Sequence, residues 1–129
     1  MAYPNDLVEF YNFCGGVVLF EAGKDNMSFR ILSADEVLQT NMLIVGESCE
    51  NDISFSWYAI CKTDSGDYIS IDTSGKRGGR CYDSNFEIHG VAGSCPIIAL
   101  SFSELLGELY KSSGVDVFWK TRNYGDAYA

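Results

Sequence analysis

Residues 57–72 read WYAICKT, DSGD and YISID in succession, and they form the clearest β-hairpin signal in the chain. Trp57–Thr63 and Tyr68–Asp72 have the length of strands, and the polar tetrapeptide Asp64–Asp67 between them contains a glycine, as turns commonly do. In the second strand Ile69 and Ile71 alternate with less apolar neighbours, so one face of the ribbon is apolar. Such a ribbon is typical of an antiparallel sheet that is buried on one side.

Two amphipathic helices are predicted near the ends of the chain. The first runs from Pro4 to the glycine pair at 15 and 16, with proline and glycine at the ends where they are favoured. The second begins at the capping-box sequence Ser101–Glu104 and ends at Gly114. The apolar positions keep the helical spacing of i, i+3, i+4 and i+7 in both. They are Leu7, Phe10, Tyr11 and Cys14 in the first helix, and Phe102, Leu105, Leu106, Leu109 and Tyr110 in the second.

Weaker sequence signals predict the secondary structure of the rest of the chain. A capping box at Ser33–Glu36 predicts a short helix to about Asn41. Strands, or apolar runs of strand length, are predicted at Val17–Phe20, Met27–Ile31, Met42–Val45, Arg80–Phe86, Cys95–Leu100 and Val115–Trp119. The prediction is therefore one domain over residues 1–120, followed by a loose C-terminal tail over residues 121–129.

Composition and charge restrict the class of partner. The 129 residues are 47% apolar and 21% charged, which is ordinary for one globular domain. Nine basic against eighteen acidic residues give a net charge of −9 and a pI near 4.3. Because phosphate backbones repel such a surface, we expect no direct nucleic-acid binding. The excess of acidic residues suits either plain solubility or a basic protein partner.

The cysteines and the apolar runs indicate the compartment. The five cysteines contain no C-x-x-C pair, so no zinc ribbon or redox motif is predicted. The N-terminal sequence has no basic segment followed by an apolar stretch, so no secretory signal is expected. No apolar run approaches the roughly 20 residues that a membrane helix needs. We therefore predict a cytoplasmic protein with reduced thiols and no membrane contact.

The sequence offers little material for catalysis. His89 is the only histidine, so a Ser/His/Asp or Cys/His arrangement would have to use it, with Cys81 or Cys95 as its nearest cysteines in the chain. No motif places these residues together, and no hydrolase elbow is present. The glycine-rich stretch Ser74–Gly79 lacks the spacing of a phosphate-binding loop and is interpreted as a turn. We predict no catalytic residue and no cofactor.

Two acidic segments are the candidate binding residues. Glu47, Glu50 and Asp52 follow one another in a polar loop, and Asp64 and Asp67 frame the hairpin turn. Such carboxylates can bind calcium or magnesium, but the EF-hand pattern is absent and no metal site is predicted. Loop carboxylates are usually just solvated, and for any one of these residues that remains the alternative. Their charge and loop positions also suit a basic protein partner, and we predict that they form part of its binding surface.

The order of these segments resembles the SUKH superfamily, a group that includes fungal cell-wall synthesis regulators and many bacterial immunity proteins. The matching segments span Pro4 to Tyr110, most of the chain. They are Pro4 with LVEFYNFCGG at residues 7–16, FRI at 29–31 with the predicted Ser33–Asn41 helix, IVG at 44–46, the DSGD turn with Tyr68–Asp72, and Ser101–Phe102 at the start of the last helix.

The resemblance implies an α+β fold in which helices pack on an antiparallel sheet. It also implies a non-catalytic binding module, most often an immunity protein that neutralises a toxin, frequently a nuclease, delivered between competing bacteria. The acidic charge agrees, since nuclease domains tend to be basic. The alternative is an intracellular scaffold or regulatory protein that binds endogenous partners. The oligomeric state is left open by the sequence.

Overall fold

The computed structural model describes residues 3–19, 28–112, 118–120 and 123–129. Three α-helices and seven β-strands lie within these ranges. They are α1 (Asn5–Phe13), β1 (Val17–Leu19), β2 (Phe29–Ile31), β3 (Leu38–Gln39), α2 (Thr40–Ile44), β4 (Trp57–Thr63), β5 (Tyr68–Asp72), β6 (Cys81–Ser84), β7 (Ile97–Ala99) and α3 (Phe102–Ser112). Short 3₁₀ turns occur at Ala34–Glu36, Ile53–Ser56 and Phe118–Lys120.

All seven strands belong to one antiparallel sheet with the order β1-β2-β4-β5-β6-β7. The short β3 pairs with the first half of β4, and β2 pairs with its second half. The predicted hairpin is confirmed with its predicted bounds, and it lies at the centre of the sheet. The expected α+β class, an antiparallel sheet packed by helices, is confirmed as well.

The main core lies between the sheet and helices α1 and α3. Leu7 of α1 and three residues of α3, Phe102, Leu105 and Leu109, are fully buried against the sheet. The rings of Phe10 and Phe102 meet edge to face, with their centroids 5.1 Å apart. The stripe of α3 is narrower than predicted, because Tyr110 is 75% exposed.

The opposite face of the sheet is buried too, which differs from the expectation of a sheet buried on one side. Trp57 and Tyr82 stack there with their ring centroids 3.9 Å apart, and both side chains are fully buried. The polar residues Ser70, Asp72 and Ser84 are also buried. Side chains of α2, the 45–56 loop, the 85–95 loop and the C-terminal segment contact this face.

The C-terminal segment is part of the fold and is not the loose tail that the sequence suggests. In residues 123–129, the Ile97 amide donates to the Gly125 carbonyl and the Ala127 amide donates to the Cys95 carbonyl, both at 2.8 Å. Ala127 is buried beside Trp57 and Tyr82. The sequence does not reveal this contact because it depends on partners far away in the chain.

Three further segments differ from the sequence predictions. The capping box at Ser33–Glu36 is present, but the helix it opens is a single 3₁₀ turn that ends as the chain becomes extended at Val37. Met42–Val45, expected as an apolar run of strand length, lies mostly in α2. The predicted strands that include Phe20, Met27 and residues 115–117 extend outside the described residues, and residues 118–120 form a 3₁₀ turn.

Candidate partner-binding surface

The structure places one predicted acidic segment in the loop that follows α2 and brings Asp67 of the other beside Leu43 of the helix. Glu47 and Glu50 are exposed in the loop that follows the helix. Asp67, in the β4–β5 turn, lines a small cavity of about 120 Å³ together with Leu43 of α2 and Phe86. Asp64 is exposed in the same turn. Four of the five predicted acidic side chains are therefore available near α2 or at the turn that it approaches.

Asp52 differs from the other four because its carboxylate is used within the fold. Its Oδ2 accepts hydrogen bonds from the hydroxyl of Tyr128 at 2.7 Å and from the amide of Ser54 at 3.0 Å. Burial alone would raise the pKa of Asp52, but the hydrogen bonds from Ser54 and Tyr128 outweigh it and hold the pKa below its ordinary value. Asp52 thus fastens the C-terminal segment to the 45–56 loop.

Helix α2 exposes apolar side chains next to this acidic loop. Met42 is 53% exposed, Val45 is equally exposed, and Leu43 is 38% exposed. Phe86, which lines the same cavity as Leu43, is 74% exposed. We call Met42, Leu43, Val45 and Phe86 the α2 patch. The α2 patch could not be predicted from the sequence, because an apolar run of strand length does not show which of its side chains are exposed.

A second cavity lies on the other side of the β4–β5 turn. It has a volume of about 480 Å³, and Asp67 and Tyr68 line both cavities. Two acidic residues line it, Asp67 and Asp83, and the Asp83 carboxylate accepts from the Trp119 indole at 2.7 Å and from the Asn85 backbone amide at 2.9 Å. Burial raises the pKa of Asp83. Both oxygens are satisfied within the fold, so this carboxylate shapes the cavity wall.

His89 lies beneath the α2 patch in a buried network of polar side chains. Its Nδ1 lies 2.9 Å from the Ser84 hydroxyl, and its Nε2 lies 2.6 Å from Asn41 Oδ1. Asn41 Nδ2 donates to the Ser54 hydroxyl at 3.0 Å and to the Ser48 carbonyl at 3.1 Å. The network therefore connects α2, β6, the 85–95 loop and the 45–56 loop.

The hydrogen bonds of this network have one consistent direction when His89 is neutral. Because the Asn41 amide nitrogen donates twice, its oxygen accepts from His89, which places the imidazole proton on Nε2. Nδ1 then accepts from Ser84. The Ser84 hydroxyl in turn accepts from Ser70 at 2.6 Å, and Ser70 accepts from Thr40 at 2.7 Å. A proton on Nδ1 would make the Ser84 hydroxyl the acceptor and would reverse the direction of donation along Ser84, Ser70 and Thr40.

The Ser84–His89–Asn41 arrangement looks like a nucleophile with its base, but its burial indicates a structural role. Ser84 is fully buried, and His89 is only 8% exposed. A nucleophilic hydroxyl must reach its substrate. Ser84 lines the cavity that Leu43 and Phe86 share, but its side chain has no exposed surface, and its hydroxyl is hydrogen-bonded to Ser70 and His89. Neither Cys81 nor Cys95 is the hydrogen-bond partner of His89; Ser84 and Asn41 hold the ring.

We predict that acid destabilises the protein through His89. Burial lowers the pKa of His89 below its ordinary 6.5, and the Asp52 carboxylate only partly offsets this. The unfolded chain therefore binds this proton first as the pH falls, and folding stability decreases below about pH 6.5, by at most about 1.4 kcal/mol per pH unit for one proton.

The pH prediction can be tested on a single NMR signal, because His89 is the only histidine. Its imidazole is expected to titrate below pH 6.5, and urea denaturation is expected to give a lower free energy of unfolding at pH 5.5 than at pH 7. An imidazole that titrates at or above 6.5 would contradict the buried neutral ring.

The described ranges give no support for a metal site, a disulfide or a membrane-spanning helix. Among residues 3–19, 28–112, 118–120 and 123–129, no three His, Cys, Asp or Glu side chains are grouped so that they could hold a metal ion. All five cysteines are unpaired, and three of them, Cys61, Cys81 and Cys95, are buried. No helix in the same ranges is long and apolar enough to cross a bilayer.

Comparison with known proteins identifies the family of the chain. Residues 1–108 match the SMI1/KNR4 family, also called SUKH-1. The chain belongs to the SMI1/KNR4 family. The resemblance to the SUKH superfamily is thereby confirmed, and the SMI1/KNR4 match includes β1–β7, α2 and most of α3.

One SMI1/KNR4-like relative gives a more specific comparison. The chain is 41% identical over 128 residues to the immunity protein YokJ of Bacillus subtilis strain 168, and the alignment covers 97% of this chain and 76% of YokJ. No solved structure matches the chain.

Proposed function

We propose that this protein is an immunity protein, which binds a toxin and neutralises it by occupying the toxin's working surface. The observation that carries the proposal is the 41% identity to an immunity protein over 97% of the chain. The buried position of His89 and Ser84 supports a mechanism by binding, because the residues that resemble a catalytic pair are enclosed in the fold.

The toxin in this proposal is basic and acts on nucleic acid. Residues 31–61 and 81–110 contain no lysine or arginine, although they contain nine carboxylates. These two segments supply α2, its acidic loop and Phe86. A surface of this kind repels phosphate and attracts lysines and arginines. It can therefore cover the site at which a nuclease would hold its substrate.

The proposal places the complex in the cytoplasm. All five cysteines are unpaired, as is usual where glutathione and thioredoxin keep thiols reduced. A nuclease toxin also meets its substrate in that compartment. The immunity protein would be present there before the toxin arrives.

Affinity capture from a lysate of the source organism tests the proposal. The immobilised chain is exposed to the lysate at low and at high salt, and bound polypeptides are identified by mass spectrometry. We expect one basic polypeptide at one-to-one stoichiometry. Several cellular proteins bound at modest affinity would contradict the proposal and favour a scaffold protein. The captured polypeptide is then produced and purified for the experiments below.

Charge reversal in the acidic loop is predicted to slow association with that polypeptide. Glu47→Lys combined with Glu50→Lys is expected to lower the association rate constant about tenfold at low salt, because opposite charges steer the encounter. The control combines Glu9→Lys with Asp35→Lys, which changes the net charge equally at exposed positions outside the loop. Stopped-flow fluorescence measures both rates, and equal rates for the two double variants would contradict a role for the loop.

A further inference from the structure

We propose that the α2 patch is the docking surface for the toxin, and that it takes an exposed apolar side chain flanked by lysines or arginines. This inference rests on the proposed function and adds the surface and the chemistry of the contact. Three features support it: the exposed side of α2 is apolar, the rim of the patch is mainly acidic, and a buried hydrogen-bond network lies beneath the patch.

Helix α2 buries polar side chains and exposes apolar ones, which is the reverse of the usual arrangement. Its buried residues are the polar Thr40 and Asn41, whereas Met42 and Leu43 point outward. A helix normally buries its apolar side chains, because that burial stabilises the fold. Exposure of Met42, Leu43 and Val45 contributes little to folding. Exposed apolar patches of this kind mark interaction sites.

Phe86 extends the apolar surface beyond the helix. It follows β6 and lines the cavity of about 120 Å³ with Leu43, and Gly66 and Tyr68 complete part of the wall. The patch therefore combines a protruding aromatic ring with a shallow depression. Aromatic anchors beside small pockets are typical of the residues that dominate binding energy in protein interfaces.

The rim of the α2 patch is mainly acidic, although the Lys62 ammonium lies 5.6 Å from the ring centroid of Tyr68, which lines the same cavity as Phe86. Glu47 lies two residues after Val45, Glu87 is exposed directly after Phe86, and Asp67 lines the shared cavity. An apolar centre with a charged rim is the usual anatomy of a protein interface, and the sign of this rim selects a basic partner. A second copy of the chain would bring two acidic rims together, so repulsion disfavours a homodimer on this surface.

The buried network of polar side chains fixes the position of the α2 residues of the patch relative to Phe86. Asn41 precedes Met42, and Ser84 lies two residues before Phe86. His89 bridges Asn41 and Ser84 through its two ring nitrogens. A surface that is already ordered loses less conformational entropy when a partner binds.

The test compares two exposed phenylalanines. Phe86 is 74% exposed in the patch, and Phe13 is 91% exposed at the end of α1. Isothermal titration calorimetry is performed with the purified polypeptide from the capture experiment and with wild type, Phe86→Ala, Leu43→Ala and Phe13→Ala. We expect Phe86→Ala to weaken binding at least about tenfold and Leu43→Ala to weaken it several-fold, whereas Phe13→Ala stays within about twofold of wild type.

The outcomes separate this inference from the proposed function. If the wild type binds and Phe86→Ala binds equally well, the inference is overturned while the proposed function stands. If the wild type fails to bind and fails to protect cells, the proposed function is overturned and the inference with it. Thermal unfolding of the free variants confirms that each is folded. Sedimentation of the wild type alone adds one further readout: a dimer that Phe86→Ala disperses would assign the patch to a second copy and overturn the inference.

Discussion

Replacing Trp57 with alanine is expected to lower the free energy of unfolding by about 3–5 kcal/mol, the range for a large aromatic residue removed from a core. Trp57 is fully buried, stacks on Tyr82, and lies edge-on to His89 with the centroids 5.7 Å apart. The ring of Tyr128 is 6.0 Å away, so the same substitution removes a contact that holds the C-terminal segment. Urea denaturation monitored by circular dichroism measures the loss.

The matched control for this prediction is Tyr110→Ala. Tyr110 is an aromatic residue of α3 that is 75% exposed, and its removal is expected to change stability by no more than about 0.5 kcal/mol. A loss below about 1 kcal/mol for Trp57→Ala would mean that the second face of the sheet is not packed as described. The comparison therefore tests whether that face is a core in its own right.

Asn41→Ala is expected to cost about 2–4 kcal/mol, because each buried polar group left without a partner costs about 1–3 kcal/mol. The substitution removes the acceptor of His89 Nε2 and the donor to the Ser48 carbonyl and the Ser54 hydroxyl. It also cuts the connection between α2 and the 85–95 loop. The α2 patch loses its support, so affinity for the captured polypeptide is expected to fall together with stability.

Asn51→Ala is the control for this second prediction. Asn51 lies in the neighbouring acidic loop and is exposed. Its substitution is expected to leave the free energy of unfolding within about 0.5 kcal/mol of the wild type. If Asn41→Ala matched Asn51→Ala in urea denaturation, the polar network would contribute nothing to stability.

The parts of the fold that local sequence pattern determines were predictable. The β4–β5 hairpin has a turn sequence and alternating residues, so its bounds follow from the sequence alone. Helix α3 carries a capping-box sequence and an apolar stripe. The Glu104 amide donates to the Ser101 hydroxyl at 3.1 Å, and the Glu104 carboxylate accepts from the Leu100 amide, one residue before the cap, at 3.1 Å. Tyr110 was misplaced because the buried stripe is narrow: Leu109 in the same turn is fully buried, whereas the next residue, Tyr110, is 75% exposed.

The parts that depend on distant contacts were not predictable. Helix α2 is held by Thr40 and Asn41, whose partners Ser70 and His89 lie 30 and 48 residues away. The apolar run Met42–Val45 has the length of a strand, but it lies mostly in a helix, and Met42, Leu43 and Val45 face outward. The C-terminal segment is fixed by Tyr128 and Asp52, which are 76 residues apart. No local pattern indicates such pairs.

Among the candidate binding residues, too, local pattern was informative where no distant contact is involved and was misleading where one is. Charge and loop position were sufficient to suggest Glu47, Glu50, Asp64 and Asp67, and their role in binding stays a prediction. The same reasoning also selected Asp52, whose internal hydrogen bonds appear only in three dimensions. Phe86 was predicted as the last residue of the strand Arg80–Phe86, whereas β6 ends at Ser84 and Phe86 is 74% exposed.

The most direct test of the account is a growth assay in a bacterial host that expresses the captured polypeptide under an inducible promoter. Expressed alone, the polypeptide is expected to stop growth. Expressed together with this protein, it is expected to leave growth at the rate of the uninduced host, and the two chains are expected to be recovered as a one-to-one complex. Growth arrest that persists while the folded protein is present at equal or higher level would contradict neutralisation.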